Sequence, residues 1–294
     1  MTTNAAVSPA PTLTGRVQNY ASFVRIEHAL FSLPLILAGT WLAAPGGVPW
    51  STLAWIALAG TGARTAALAL NRLLDRAIDA RNPRTRGREL PSGRMSVREG
   101  WLIALGGTIV YAIAAAALNP LCLALSPIPL IVFTLYPLLK RVTPLCHFGV
   151  GAALALSPLG GFLAARPDFL AAFREAGPLA LFSLFWVAGF DIIYATLDRD
   201  FDREHGIHSL PAALGNERAL LVSRACHLVA FASLALWAWS RWPTPAVALA
   251  LAAVAAGLVW QQASAKHVDL AFFRINAGLG FVVLAVVLAG QGLP

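Results

Sequence analysis

The chain has 294 residues with 22 Lys and Arg against 14 Asp and Glu, a net charge of +8, yet only 12% of it is charged and 58% is hydrophobic. With a mean hydropathy of +0.68, it lies far outside the range of a water-soluble globular domain and reads as a protein that crosses a membrane several times. The positive charge could suggest a nucleic-acid partner, but basic residues collected on one side of a bilayer account for most of it without one.

Residues 1–20 are polar and lack the apolar core of a signal peptide, so they are expected to form a disordered cytoplasmic tail ahead of one membrane domain over 21–294. At about 20 mostly apolar residues per crossing, the first two spans fall at 23–44 and 50–73. The second runs into the string Asn71-Arg72-Leu73-Leu74-Asp75-Arg76-Ala77-Ile78-Asp79. Four-residue steps drift by only ~40° around a helix, so Asn71, Asp75 and Asp79 share one face. Asp75 to Arg98 is a long polar segment in which Asn82-Pro83, Gly87, Pro91 and Gly93 are expected to stop the helix and set up turns. A loop of this length inside a compact bundle is more often functional than idle.

Spans three to five are expected at 99–117, 119–138 and 145–165, with Lys140 and Arg141 between the last two. The sixth, 177–198, ends in Tyr194-Ala195-Thr196-Leu197-Asp198-Arg199-Asp200-Phe201-Asp202, which repeats the first string 123 residues later. Four spans lie in that interval, so orientation is preserved and both strings emerge on one face as a parallel repeat. Asp191, Tyr194, Asp198 and Asp202 fall within roughly 80° of one helix face, while Asp200 points away. Each string is followed by Leu-Pro and a nearby Gly, at Leu90-Pro91-Ser92-Gly93 and at Leu210-Pro211-Ala212-Ala213-Leu214-Gly215. The last spans are expected at 218–240, 244–263 and 271–291, nine in all, forming an all-α bundle. Nearly all Lys and Arg then lie on the side of the two strings, leaving Arg166, Arg174 and Arg241 for the other. That bias places the N-terminus and both strings in the cytoplasm and the C-terminus opposite.

Carboxylates are costly in so apolar a chain, and two clusters at helix ends call for a bound group that compensates them. Mg2+ takes oxygen ligands and is usually held by one or two carboxylates plus substrate phosphate oxygens. Two Asp pairs would suit ions bridging a diphosphate, with Arg72, Arg84, Arg86, Arg88, Lys140 and Arg141 adding countercharge. Arg76, Arg81, Arg98, Glu99, Arg199 and Glu204 read instead as an interfacial fringe. Glu27, His28, His147, His227 and His267 read as interfacial or packed side chains, with no histidine pair at zinc spacing. His205 and His208 stay open between site and solvent. Cys122, Cys146 and Cys226 read as inert thiols.

The two strings resemble the UbiA superfamily of intramembrane prenyltransferases. Its Asn-x-x-x-Asp-x-x-x-Asp pattern is met by Asn71, Asp75 and Asp79, and its later Asp-x-x-x-Asp by Asp198 and Asp202, with Asp191 and Tyr194 ahead. Arg64 and the segment Tyr136-Pro137-Leu138-Leu139-Lys140-Arg141 also match, and the resemblance covers nearly the whole chain. It implies nine transmembrane helices around a cavity in a bacterial inner membrane. It also implies Mg2+-dependent transfer of a polyprenyl group from polyprenyl diphosphate to a small aromatic acid in quinone biosynthesis. The implied metal-binding residues are Asn71, Asp75, Asp79, Asp198 and Asp202. The diphosphate would fall to Arg64, Arg72, Arg84, Arg88 and Lys140, and catalysis to Asp191 and Tyr194, with Asp191 orienting the acceptor or taking the ring proton.

Two departures bear on the acceptor. Where 4-hydroxybenzoate enzymes usually read Asn-Asp and Arg-Pro-Leu, this chain has Asn71-Arg72 and Arg88-Glu89-Leu90. Together with Asn82-Pro83-Arg84-Thr85 and the run from Asp202 to Ser209, they resemble the branch linked to menaquinone made through futalosine. That favours 1,4-dihydroxy-6-naphthoate over 4-hydroxybenzoate. A UbiA-type enzyme with another acceptor is the nearest alternative. A secondary transporter is the alternative of a different class, but transporters set their charges near the bilayer midplane rather than at helix ends.

Overall fold

The structure, a computed structural model, describes residues 19–23, 29–266 and 270–292, with backbone only for 29–31, 266 and 270–273. Most of the tail expected at 1–20 lies outside the described residues, as do Glu27, His28 and His267; Asn19 and Tyr20 belong to a helical turn that runs to Phe23.

The helices in chain order are α1 (Ala29–Ala43), α2 (Trp50–Arg81), α3 (Val97–Leu118), α4 (Pro120–Leu125), α5 (Pro127–Leu139), α6 (Cys146–Ala165) and α7 (Phe169–Glu175). They continue with α8 (Gly177–Ala195), α9 (Arg199–Glu204), α10 (Leu210–Leu214), α11 (Asn216–Arg241), α12 (Pro245–Ala263) and α13 (Leu270–Gly290). Seven segments are long and apolar enough to cross a membrane: Trp50–Arg81, Val97–Leu118, Pro120–Leu139, Cys146–Ala165, Gly177–Glu204, Asn216–Arg241 and Pro245–Ala263. The chain is an integral membrane protein. The first and ninth expected spans correspond to α1 and α13, whose described apolar parts, Ser32–Ala43 and Arg274–Gly290, are shorter than a full crossing.

Helix α2 outruns its expected end at residue 73 by eight residues. Nothing from Arg72 to Arg81 breaks a helix, and the stop comes at Asn82, held at φ −80° and ψ 119° by the proline that follows. Its length of about 48 Å exceeds a hydrocarbon core of about 30 Å. The turns bearing Asp75 and Asp79 therefore stand at the end of the bundle. Helix α3 opens on a capping box between Ser96 and Glu99, so Glu99 serves the helix rather than a fringe. The span expected at 119–138 is broken at Ser126, ahead of Pro127. The sixth also ends early: α8 stops at Ala195, and a 3-10 turn over Thr196–Asp198 separates it from α9. The Thr196 hydroxyl donates to the Ile193 carbonyl at 2.6 Å and tightens the chain there.

Helix α2 lies along α3, α6 against α1 and α8, α8 against α11, and α12 against α13, which returns to α1; α5 joins α2 to α6. The main core runs through Leu35, Phe162, Phe182, Trp186, Leu234 and Val283. Large apolar side chains such as Leu105, Leu236 and Leu249 face outward, as in a lipid-facing bundle.

Backbones approach most closely between α1 and α6. A Cβ on Gly161 would lie 1.9 Å from the Ile36 carbonyl oxygen, whereas one on Gly160 would meet nothing within 4 Å. Small residues at membrane helix crossings allow this approach. Gly161→Ala is therefore expected to destabilise the protein by about 1–3 kcal/mol through overpacking, and Gly160→Ala to leave it unchanged. Thermal unfolding of the two variants in detergent checks this; equal midpoints would refute the close crossing.

Candidate active site

The ends of α2, α5 and α8, the start of α6, and the loops after α2 and α9 enclose a polar cleft of about 200 Å3. Asn71, Asp75 and Asp79 line it from α2, Asp191 and Tyr194 from α8, Asp198 from the 3-10 turn and Asp202 from α9. Arg84 and Arg88 enter from the loop after α2, and Lys140 caps α5 beside them. With the helix broken after Ala195, Asp191, Tyr194, Asp198 and Asp202 all line this cleft. Asp200 is exposed and pairs with Arg199.

Charge is neutralised pairwise across the cleft. Lys140 Nζ donates to Asp75 Oδ2 at 2.6 Å, and Arg88 Nη1 reaches both oxygens of Asp79 at 3.0 and 2.9 Å. Arg84 donates through Nε at 2.8 Å and through Nη2 to the two oxygens of Asp198, and through Nη1 to the Tyr194 hydroxyl at 2.9 Å. Burial disfavours the Arg84 cation, but hydrogen bonds to Asp198 and Tyr194 outweigh it and hold the guanidinium even more firmly protonated than usual. Asn82 orders this corner: its Nδ2 donates to Asp198 at 2.8 Å, and its Oδ1 accepts from the Arg84 backbone amide at 2.9 Å. Asp202 accepts from the Ser209 hydroxyl at 2.8 Å.

The structure does not bring Arg72, Arg64, Arg86 or Arg141 into the cleft. One residue past Asn71 is a turn of 100°, which carries Arg72 to the other side of α2. There it is 7% exposed, ion-paired with Glu89 and stacked over the Phe23 ring at 5.3 Å. Glu89 also accepts from the Ser22 hydroxyl at 2.6 Å. Burial opposes its ionisation, yet the Ser22 hydroxyl, a backbone hydrogen bond and the guanidinium groups of Arg72 and Arg94 together hold its carboxyl below the usual range. Arg86 is exposed on the loop, and Arg141 donates to the Leu74 carbonyl.

Arg64 stands two turns deeper than Asn71 and lines a second, apolar chamber of about 280 Å3 with Ile56, Ala67, Tyr111, Phe133 and Ala153. Its Nε is buried without a hydrogen-bond partner among the described residues. The chamber follows the cleft along the same helices, from Asn71 to Ala67 on α2, from Tyr136 to Phe133 on α5 and from Val150 to Ala153 on α6. Tyr136, in the cleft wall, interacts with Asn71, Arg64, Asp75 and Asp191.

The UbiA prenyltransferase family matches residues 32–288. The chain belongs to this family. A UbiA homologue of Aeropyrum pernix K1, in its apo structure, shares the fold at a TM-score of 0.80 and 34% identity over 90% of this chain and 97% of that one. A 4-hydroxybenzoate octaprenyltransferase of Methylobacillus flagellatus is 33% identical over 247 residues, 79% of each chain. Another, of Paracidovorax citrulli, is 31% identical over 96% of this chain and 97% of its own. A UbiA homologue of Archaeoglobus fulgidus bound to GPP and Mg2+ shares the fold at a TM-score of 0.70 and 18% identity, over 94% of this chain and 100% of that one.

Whether this UbiA chain offers a metal ion suitable donors is decided at Asp75. Its Oδ1 is buried with no hydrogen-bond partner among the described residues while Oδ2 binds Lys140, and an unsatisfied buried carboxylate oxygen is costly unless something binds it. Asn71, Asp75, Asp79, Asp198 and Asp202 form an all-oxygen donor set of the kind a hard cation takes. Among the described residues no three His, Cys, Asp or Glu side chains gather closely enough to cage an ion by themselves. The set therefore suits an ion that completes its shell with phosphate oxygens and water.

Polar cleft residues to which sequence reasoning gave no site role include Asn82, Thr85, Cys146, His147 and Ser209. His147 is 2% exposed, with Nδ1 2.7 Å from Asp191 Oδ2. Cys146 Sγ is 3.4 Å from the His208 carbonyl oxygen, and Thr85 donates to the Asp79 carbonyl at 3.2 Å. His208, left open above, lines the cleft, and its amide donates to the Lys140 carbonyl at 2.7 Å, while His205 is exposed and stacks on Phe201. His227 is packed inside the bundle against Gly189 and Gln262. The repeat of Leu-Pro after each Asp string and the run from Asp202 to Ser209 pointed toward the 207–210 segment.

Proposed function

We propose that this chain transfers the polyprenyl group of a polyprenyl diphosphate to the ring of a small aromatic acid in quinone biosynthesis. That it is an aromatic prenyltransferase follows from its family and relatives; the assignment of donor, acceptor and residues is the proposal. The observation that carries it is the succession of the two cavities along α2, α5 and α6: a cleft lined by Asp with Arg and Lys, followed by an apolar chamber. A diphosphate with a long hydrocarbon tail has that same division.

Mg2+, present with GPP in the Archaeoglobus relative's structure, would be held by Asp75, Asp79, Asp198 and Asp202, with Asn71 beside them. When bound it supplies neutralisation of the charge that builds on a departing diphosphate. Arg84, Arg88 and Lys140 bind the phosphate oxygens, Arg by paired contacts. Diphosphate entering between them takes over some of the contacts now made with Asp79, Asp198 and Asp75. Chamber walls around Phe133 and Ala153 hold the tail and exclude water that would trap an allylic cation. The bond between the prenyl C1 and the diphosphate oxygen breaks with its electron pair leaving on the oxygen. A ring carbon beside the acceptor's hydroxyl attacks C1, and the displaced ring proton leaves toward Asp191.

Arg64, with its unpartnered nitrogen at the top of the chamber, suits the carboxylate of the acceptor better than the diphosphate. Asp191 then meets the hydroxyl across the ring, both groups lying near Tyr136. The relatives' names support 4-hydroxybenzoate as acceptor. A second reading, 1,4-dihydroxy-6-naphthoate, is favoured by Arg72 and Glu89, the two departures from the 4-hydroxybenzoate pattern, which form a single ion pair here. The basic face fits the cytoplasmic side of a bacterial inner membrane.

Membranes containing the protein, given a polyprenyl diphosphate and Mg2+ with each acceptor in parallel, are expected to yield a prenylated acid that EDTA suppresses. The favoured acceptor identifies the pathway. Absence of product from both, in a preparation shown to be folded, would refute the assignment.

A further inference from the structure

His147 lines the cleft and takes no direct part in the prenyl transfer proposed for it. It sits at the second position of α6 with its ring enclosed, and both nitrogens are engaged. Nδ1 lies 2.7 Å from Asp191 Oδ2, and Nε2 accepts a hydrogen bond from the Leu210 backbone amide at 3.2 Å. A backbone amide can only donate. Nε2 therefore presents its lone pair, the single ring proton resides on Nδ1, and Nδ1–H is the donor to Asp191.

The amide that fixes this tautomer is itself held in place. Leu210 opens α10 directly after Ser209, whose hydroxyl caps that helix and donates to Asp202 at 2.8 Å. The preceding His208 amide donates to the Lys140 carbonyl at 2.7 Å, and Ile207 donates to the Asp202 carbonyl at 2.8 Å. On its other side, Asp191 has one oxygen committed to His147, while Oδ1 accepts no hydrogen bond from the described residues and the carboxylate lines the open cleft. The hydrogen bond from Nδ1 to Oδ2 restrains rotation about the last side-chain bond of Asp191.

We propose that His147 is a positioning residue: its Nδ1–H fixes the Asp191 carboxylate so that Oδ1 accepts the hydrogen bond of the acceptor's ring hydroxyl. This rests on the cleft being the prenyl-transfer site. A hydroxyl bonded to a carboxylate pushes electron density into the ring, which speeds attack by the carbon beside it. The pairing acts on acceptor orientation and ring reactivity, and leaves the diphosphate contacts of Arg84, Arg88 and Lys140 untouched.

The test compares wild type, His147→Leu, His147→Asn, Asp191→Asn and the His147→Leu/Asp191→Asn double variant, purified and assayed with a polyprenyl diphosphate, Mg2+ and the acceptor that wild type uses. His147→Leu is expected to lower kcat/KM for the acceptor about tenfold or more, the usual scale for losing a residue that orients a functional group. KM for the prenyl diphosphate should stay within about twofold. In His147→Asn an amide N–H replaces Nδ1–H, and most of the lost activity should return. On the Asp191→Asn background, His147→Leu should cost nothing further.

Equal losses toward both substrates, failure of Asn to rescue, or full additivity with Asp191→Asn would each overturn the proposal and leave His147 as packing. Wild type that prenylates no aromatic acid would overturn the reading of the cleft instead, and it shows before any variant is compared.

Discussion

Asp75→Asn is expected to cut prenyl transfer by about a hundredfold or more while the protein stays folded. Asp75 is 2% exposed, its Oδ2 is bound by Lys140 at 2.6 Å, and its Oδ1 has no partner. A protein that kept this carboxylate for stability would satisfy both oxygens, since each unsatisfied buried group costs about 1–3 kcal/mol. Asn keeps the shape and removes the charge that a cation needs. Loss of one preorganised electrostatic contact at a reacting centre lowers kcat by about 100- to 1000-fold. Lys140 is 26% exposed at its side chain, so without its partner it can turn toward water. The unfolding midpoint should therefore stay within about 4 °C of wild type, a shift equivalent to about 1–2 kcal/mol. The measurement is turnover at saturating substrates over a Mg2+ titration, beside a thermal melt. Wild-type turnover in Asp75→Asn would remove Asp75 from the metal set; lost turnover with a collapsed melt would make it a structural carboxylate.

Asn71, Asp75 and Asp79 were legible because a four-residue step is a property of the helix itself, and all three do line the cleft. The second string was legible by its repetition, although a 3-10 turn and a new helix replace the continuous helix expected there. Which arginines turn inward was not legible. Arg84, Arg86 and Arg88 alternate along a loop whose turns are set by Asn82 and Thr85, and only Arg84 and Arg88 reach the cleft. Nothing in the sequence marks His147 as a site residue, because its partners, Asp191 and Leu210, lie 44 and 63 positions away. No spacing rule connects residues joined only by the packing of α6, α8 and α10. Span positions were read closely, since apolar length is a sum over many residues, while helix ends depended on single capping residues such as Asn82 and Ser96.

The pair Arg72–Glu89 gives the second large effect, and its sign depends on whether one partner is removed or both. Glu89 is 3% exposed, and it ties the loop carrying Arg84 and Arg88 to α2 through Arg72 and to the helical turn before α1 through Ser22. Arg72→Met or Glu89→Gln leaves one charged or polar group buried without its counterpart, at a cost of about 3–5 kcal/mol. Loosening the loop should also raise KM for the prenyl diphosphate, because Arg84 and Arg88 lose their anchorage. Replacing both, as Arg72→Met with Glu89→Leu, removes the unpaired charge, and such exchanges are often neutral or stabilising. The double variant should therefore recover most of the stability lost by either single one. The pH dependence has a fixed sign: the Glu89 carboxyl titrates below its ordinary value, so its contribution is full above about pH 4.3. That contribution is lost as pH falls through the depressed value. Wild type should lose this increment in acid, and Glu89→Gln should not show it. Unfolding midpoints for the four proteins at neutral and acidic pH supply the measurement. A double variant no more stable than the weaker single would show that Arg72 and Glu89 act separately, and the two departures would then be unrelated substitutions rather than one coupled change.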